Sequence, residues 1–125
     1  MAEREKKKKA PLHAAAIEDY CLIGDCETAA LVSREGSIDW LCWPTFSSGA
    51  CFAALLGTRE HGFWKIAPAG RVTATRRQYK PHTLVVDTTF ETPDGVVCIT
   101  DFMPPRDENS SLVRIVRGIR GEVAM

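Results

Sequence analysis

The sequence predicts an all-β protein, an antiparallel β-sandwich with one short helix near residues 50–56. Two observations indicate this class. After the first dozen residues, short apolar stretches with strand-like patterning follow one another, and turns rich in glycine, proline and aspartate separate them at close spacing. The 125 residues also have an ordinary globular composition, with 45% hydrophobic and 26% charged residues, which is enough for one domain with its own core.

The first 13 residues differ from the rest of the chain in charge. They contain Arg4 and a run of lysines at positions 6–9 against two glutamates, and no apolar face accompanies the basic run. This composition predicts a disordered basic tail over residues 1–13, with a membrane-surface anchor or a localisation signal as the alternative interpretations. Residues 14–125, the predicted folded domain, have a net charge of −3 and no basic surface for a nucleic-acid backbone. We expect no nucleic-acid partner, no membrane association and a cytoplasmic location.

The cysteines do not suggest a disulfide framework, because their count is odd and the chain shows no export signal. Their spacings also differ from the tight Cys-x-x-Cys pairs of structural zinc sites. We expect reduced thiols, no metal site and no cofactor, with a zinc site or a redox pair of Cys21 and Cys26 as the alternatives. The five residues are Cys21, Cys26, Cys42, Cys51 and Cys98.

The first predicted hairpin joins strands at residues 29–33 and 38–43 through a polar turn that contains Gly36. Strict alternation in the second strand would place its side chains on two largely apolar faces, so we expect this strand to lie between two packed layers. The two faces are Ile38, Trp40 and Cys42 on one side and Asp39, Leu41 and Trp43 on the other.

The short helix is predicted from caps and from one apolar stripe. Ser47 or Ser48 can cap its start, and Gly57 is suited to end it. Between them, Phe52, Leu55 and Leu56 recur at helical spacing.

The remainder of the chain again has strand patterns. The clearest hairpin spans residues 84–103, because its first strand alternates apolar and polar residues and the turn Thr-Pro-Asp-Gly at residues 92–95 favours a tight reversal. The strands predicted in this half cover residues 62–67, 71–79, 84–91, 96–103 and 112–119.

The residues show no recognisable catalytic pattern. A glycoside hydrolase needs two carboxyl groups that flank the scissile bond, but nothing in the spacing of the carboxylates selects one pair, and aspartates at turns and strand edges commonly bond the backbone locally. The carboxylates considered are Glu18, Asp19, Asp25, Asp39, Asp87, Asp94 and Asp101. The aromatic residues have two interpretations, core or interdomain packing and direct stacking on sugar rings. They are Trp40, Trp43, Phe46 and Trp64.

Several phrases, in order, resemble the trehalase-like N-terminal domain of bacterial glycoside hydrolase family 15 proteins, the glucoamylase and trehalase-like enzymes. They are IEDYCLIGDCETAALVSREGSIDWLCWP, CFAALLG, TLVVDTTFET, CITDFMPPRD and LVRIVRGIRGEVAM. The resemblance covers nearly the whole predicted domain. It implies a β-sandwich that precedes a helical α/α barrel, in which two glutamates hydrolyse trehalose or maltooligosaccharides. No position here matches those glutamates, so no catalytic residue is assigned.

The resemblance also directs attention to the loop after residue 42. In the family that the chain resembles, this loop commonly reads Pro-Arg-Phe-Asp-Ser-Pro and can lie close to the sugar site of the barrel. The candidate substrate-binding residues are Trp43, Phe46 and Ser47. Here Thr45 and Ser47 replace the charged pair, and Gly49 replaces a proline. These departures bear on whether the loop still supports a neighbouring active site.

The resemblance implies a truncated, non-catalytic N-terminal domain of a family 15 glycoside hydrolase. Such a domain supports the folding and docking of an α/α-barrel catalytic domain, in cis or in trans. The alternative is a free-standing α-glucan-binding β-sandwich module, with the aromatic residues near the loop as its binding platform. A third interpretation is a structural protein that buries the same interface by forming a homo-oligomer.

Overall fold

The computed structural model describes residues 15–125, which form two antiparallel sheets and confirm the predicted all-β class. The basic tail predicted over residues 1–13 lies outside the described residues. The strands are β1 (Tyr20–Gly24), β2 (Ala29–Ser33), β3 (Ser37–Cys42), β4 (Ala50–Phe52), β5 (Trp64–Lys65), β6 (Ala74–Tyr79), β7 (Val86–Glu91), β8 (Gly95–Phe102) and β9 (Val113–Gly121).

The first sheet contains five strands in the order β1-β2-β3-β4, and β5 pairs with the start of β3. The second sheet has the order β6-β7-β8-β9, so each strand pairs with its neighbour in sequence. Both predicted hairpins are present, as β2–β3 and β7–β8. At the β2–β3 turn, Gly36 adopts a φ of 80°, and a side chain there would collide with the carbonyl of Ile66.

The core lies between the two sheets. One cluster joins the inner face of the first sheet to the second sheet and consists of Ile23, Ala30, Val32, Ile38, Leu41, Val86 and Met103. The other lies on the second sheet and consists of Phe90, Val97 and Ile99, with Ile66 and Val123 packed against it. Val86, Thr88 and Phe90 are buried in alternation along β7, as the sequence pattern predicts.

The side-chain faces predicted for β3 are wrong after Ile38, because the strand contains a β-bulge. Val32 of β2 is paired with Ile38, whereas Leu31 is paired with Trp40, so Asp39 is an extra residue. The bulge puts Ile38 and Leu41 together on the inner face, each 0% exposed. Trp40 therefore faces away from the second sheet and is half-buried, whereas the other five residues of the strand are buried.

The predicted helix near residues 50–56 is only partly present. Ala50–Phe52 is strand β4, which pairs with β3, and Ala54–Leu56 forms a single 3-10 turn that Gly57 ends. The residue that precedes this turn is Ala53, so Ser47 and Ser48 do not cap it. None of the helical turns within residues 15–125 has the length and apolar character needed to cross a membrane.

Candidate functional site

The loop at residues 43–49, between β3 and β4, is ordered by its own backbone and hydroxyl groups. It begins with a cis peptide bond between Trp43 and Pro44. The Trp43 amide donates to the Gly49 carbonyl at 3.3 Å, and the Ser48 amide donates to the Thr45 carbonyl at 3.0 Å. The Ser48 hydroxyl oxygen in turn accepts from the Thr45 amide at 3.1 Å. These bonds close the loop on itself before any partner binds.

Arg106 anchors this loop to two other segments. Its Nε and Nη2 donate to Oδ2 of Asp25 at 3.0 and 2.9 Å. Nη2 also donates to the Pro44 carbonyl and, at 3.1 Å, to the Ser110 hydroxyl. The Arg106 side chain is 11% exposed and that of Asp25 is 0% exposed, and Glu27 adds a carboxylate 3.2 Å from Nε. One guanidinium therefore ties together the β1–β2 turn, the 43–49 loop and the loop at residues 104–111.

Asp25 is suited to hold this arginine because its carboxylate also accepts backbone hydrogen bonds. Its Oδ1 accepts from the amides of Glu27 at 3.0 Å and Thr28 at 2.9 Å, a turn role that the sequence predicts for this residue. Burial alone would raise the pKa of Asp25, but these two amides and the Arg106 guanidinium outweigh it and lower the pKa below its ordinary value. The residue is therefore an ionised structural anchor.

The three candidate substrate-binding residues lie on this one loop but face different surroundings. Trp43 is half-buried and packs against the core. Phe46 is 64% exposed, although its amide is held by the Glu27 carbonyl at 3.0 Å. Ser47 is exposed beside the Thr45 hydroxyl, 3.3 Å away. The loop thus presents an aromatic ring and a hydroxyl to solvent on a fixed backbone, and their sugar contact stays a prediction.

A second buried arginine joins the two sheets. Arg114 Nε donates to Asp101 Oδ1 at 2.6 Å, and the two side chains are 0% and 1% exposed. The remaining nitrogens donate to the carbonyls of Gly36 at 2.7 Å and Trp64 at 2.8 Å, both near β3 and β5. Burial raises the pKa of Asp101, and the Arg114 guanidinium opposes that shift. The pair is a structural connection between the sheets.

The sequence interpretation did not identify either arginine. Arg106 and Asp25 are 81 positions apart, and nothing local marks them as partners. Arg114 and Asp101 carry a weak signal, because each interrupts an apolar strand pattern at an inward position and they are register partners across β8 and β9. A matched acid and base on neighbouring inward positions is the pattern that could have revealed this pair.

Two further aspartates, Asp39 and Asp87, also have hydrogen-bond partners within the domain. Asp39 accepts from the Tyr20 hydroxyl at 2.5 Å and from the Ser37 hydroxyl at 2.6 Å. Burial, followed by the hydrogen bond to Asp39, raises the pKa of Tyr20 well above its ordinary value. Asp87 accepts from the Thr100 hydroxyl at 2.5 Å and pairs with Lys80 at 3.3 Å. These carboxylates therefore act as structural acceptors.

Comparison with known proteins gives a family match over almost the whole chain. The family described as "Trehalase-like, N-terminal" matches residues 4–125. A trehalase of Mycolicibacterium smegmatis is 38% identical over 85 residues, which are 68% of this chain and 13% of that protein. A trehalase of Mycobacterium tuberculosis is 36% identical over 85 residues, which are 68% of this chain and 12% of the relative.

An archaeal relative extends the same similarity. A trehalase of Thermoplasma volcanium is 37% identical over 90 residues, which are 70% of this chain and 14% of that protein. The chain thus spans less than a fifth of the length of these curated relatives. No solved structure matches it at a significant level.

Proposed function

We propose that this chain, which belongs to the trehalase-like N-terminal domain family, is a non-catalytic domain of a trehalose-hydrolysing enzyme. In this role it supports the folding and docking of a catalytic domain carried by the same polypeptide. The resemblance to glycoside hydrolase family 15 implies that this partner is an α/α barrel. Trehalose is the proposed substrate of the whole enzyme because the curated relatives are named trehalases, and maltooligosaccharides are the second choice.

The observation that carries the proposal is how the buried carboxylates are used. Glycoside hydrolysis needs one carboxyl group that gives a proton and another that activates water or attacks the sugar. Asp25 and Asp101 are each bound to a buried arginine, and Asp39 is bound to two hydroxyl groups. None of these three carboxylates is placed to reach a sugar, which supports a structural role for this domain.

The 43–49 loop is the part of the domain that we assign to a neighbouring sugar site. Phe46 is exposed and can stack on a sugar face, and the Ser47 hydroxyl can hydrogen-bond a sugar hydroxyl. Trp43 supports the loop from the core side. Because Thr45 and Ser47 replace charged residues of the family pattern, we expect these contacts to be neutral hydrogen bonds and stacking rather than ion pairs.

The experiment that tests the non-catalytic role is an assay of the purified chain with trehalose, maltose and maltoheptaose, with the M. smegmatis trehalase as the positive control. We expect no release of glucose above the buffer rate. Turnover of trehalose or maltose by the purified chain would contradict the proposal, because it would place the catalytic groups in this domain.

A free-standing α-glucan-binding module is the second candidate, favoured by the exposure of Phe46 at 64% and Trp64 at 37%. Trp43 lies in the same loop as Phe46, so its fluorescence reports on a sugar bound there. A titration with maltoheptaose that shifts the emission in the wild type, but not in Phe46→Ala, would favour this candidate. Trp64→Phe is the matched control, because it removes the fluorescence of the exposed Trp64 and shows whether the shift comes from that residue.

A further inference from the structure

We propose that the outer face of the first sheet is the surface on which the remainder of a trehalase-type polypeptide docks. The surface is a cross-strand row of three side chains, Leu22, Leu31 and Trp40, called here the outer row. This inference rests on the proposed function and assigns the docking to one face of the domain.

Strand register places the three side chains side by side. Leu22 of β1 is paired with Leu31 of β2, and Leu31 is paired with Trp40 of β3. Paired residues in an antiparallel sheet share a face, and adjacent positions along a strand face opposite ways. The adjacent row, Ile23, Ala30 and Leu41, is 0% exposed and faces the second sheet. The outer row therefore points away from the second sheet.

The β-bulge creates this row. If Asp39 were an ordinary paired residue rather than the extra residue of a bulge, strict alternation would place Trp40 on the same face as Ile38, in the core. Asp39 is held in the bulge by the hydroxyl groups of Tyr20 and Ser37 at 2.5 and 2.6 Å. These two hydrogen bonds stabilise the bulge, and the bulge turns Trp40 away from the core.

The two outer faces of the sandwich differ in their charged residues. The outer face of the second sheet contains a depression of about 360 Å³, lined mostly by polar and charged side chains. Ion pairs cross that face, Arg76 with Glu91 at 3.2 Å and Lys80 with Asp87 at 3.3 Å. Ile115 and Ile119 of β9 are also exposed there, at 49% and 53%, but Ile119 borders the depression beside charged side chains. A face of such mixed polarity suits water, as expected for the solvated side of an antiparallel sheet. The outer row instead exposes Leu22 at 44% beside half-buried Leu31 and Trp40.

The area of the row favours a covalently linked partner over a second copy of this chain. A stable dimer buries about 800 Å² on each partner, which is more than three side chains supply. A domain in the same polypeptide is held at a high effective concentration and needs a smaller interface. The M. smegmatis trehalase has that additional polypeptide, because the aligned region is 13% of its length.

The test compares hydroxyl-radical oxidation of Trp40 in two proteins. One is the 125-residue chain, and the other is an exchange protein, the M. smegmatis trehalase with its aligned region replaced by this chain. We expect Trp40 oxidation to fall several-fold in the exchange protein, because a docked partner excludes water from the row. Leu31→Lys should restore the rate of the isolated chain, whereas the matched control Ile119→Lys on β9 should not.

Three results would overturn the proposal. The first is equal oxidation of Trp40 in the isolated chain and in an exchange protein that hydrolyses trehalose, which would leave the proposed function intact. The second is protection of Trp40 in the isolated chain that disappears on dilution, which would identify a second copy as the occupant. The third result applies if the exchange protein is insoluble, in which case the 125-residue chain is mixed with excess M. smegmatis trehalase that lacks its aligned region. Amide hydrogen exchange in β2 and β3 of the chain that is the same with and without this trehalase would then overturn the proposal.

Discussion

Two arginines, Arg106 and Arg114, hold the described part of the chain together by bonding several segments at once. Arg106 bonds Asp25, Pro44 and Ser110, and Arg114 bonds Asp101 together with two carbonyls of the other sheet. Because each carboxylate partner is buried, removing one member leaves a charge without compensation in the interior. The stability of the domain therefore depends on these two pairs more than on its surface ion pairs.

Asp101→Asn should destabilise the domain by about 3 kcal/mol, because it leaves the Arg114 guanidinium buried without its counter-charge. Glu91→Gln is the matched control, since it removes the carboxylate of an exposed pair with Arg76, whose side chain is 75% exposed. That control should cost about 0.5 kcal/mol. Urea unfolding of the two variants measures both values, and equal losses would contradict the structural role of Arg114.

Because of Asp25, the free energy of unfolding should decrease as the pH falls through the acidic range. Its folded pKa lies below the ordinary value of 3.8, so its contribution is fully present above that pH and is lost as the pH falls through the folded pKa. Asp25→Asn should therefore be clearly less stable than the wild type at pH 6, and the difference should shrink below about pH 4. Urea unfolding as a function of pH measures this, and a difference that stays constant down to pH 2 would contradict it.

Among the elements, local sequence patterns predicted the two hairpins, but they did not predict the bulge in β3 or the pairing of β4 with β3. The alternation in β7 and the turn at residues 92–95 define the β7–β8 hairpin without any tertiary information. The bulge at Asp39 was not predictable, because one extra residue in a strand of mixed apolar residues leaves both registers apolar. The helix prediction failed since Ala50–Phe52 can pair with β3, and this sheet contact overrides a weak helical stripe.

Because of the bulge, we expect Leu31 of β2 and Leu41 of β3 to respond differently to truncation. Leu41→Ala should cost about 3 kcal/mol, because Leu41 is 0% exposed and a cavity would remain between the sheets. Leu31→Ala should cost about 1 kcal/mol or less in the isolated chain, because Leu31 lies on the outer row. Chemical unfolding of both variants checks this, and a reversed order would mean that the register of β2 with β3 is wrong.

For the molecule as a whole, the structure combines a rigid sandwich with two features that face outward, the 43–49 loop and the outer row. The family match could be recognised from sequence because several phrases occur in order. The anchoring of the loop and the apolar row could not be recognised, because they depend on contacts between residues far apart in the chain. Both features suit a domain that supports a neighbouring catalytic domain rather than one that performs catalysis.

The most direct measurement is kcat/KM for trehalose in the exchange protein, compared with the M. smegmatis trehalase and with the same enzyme lacking its aligned region. Our account predicts that the deletion removes most activity or soluble protein, and that insertion of this chain restores trehalose hydrolysis. A deletion enzyme as active as the wild type, or a folded exchange protein with no more activity than the deletion, would contradict the supporting role proposed for this domain.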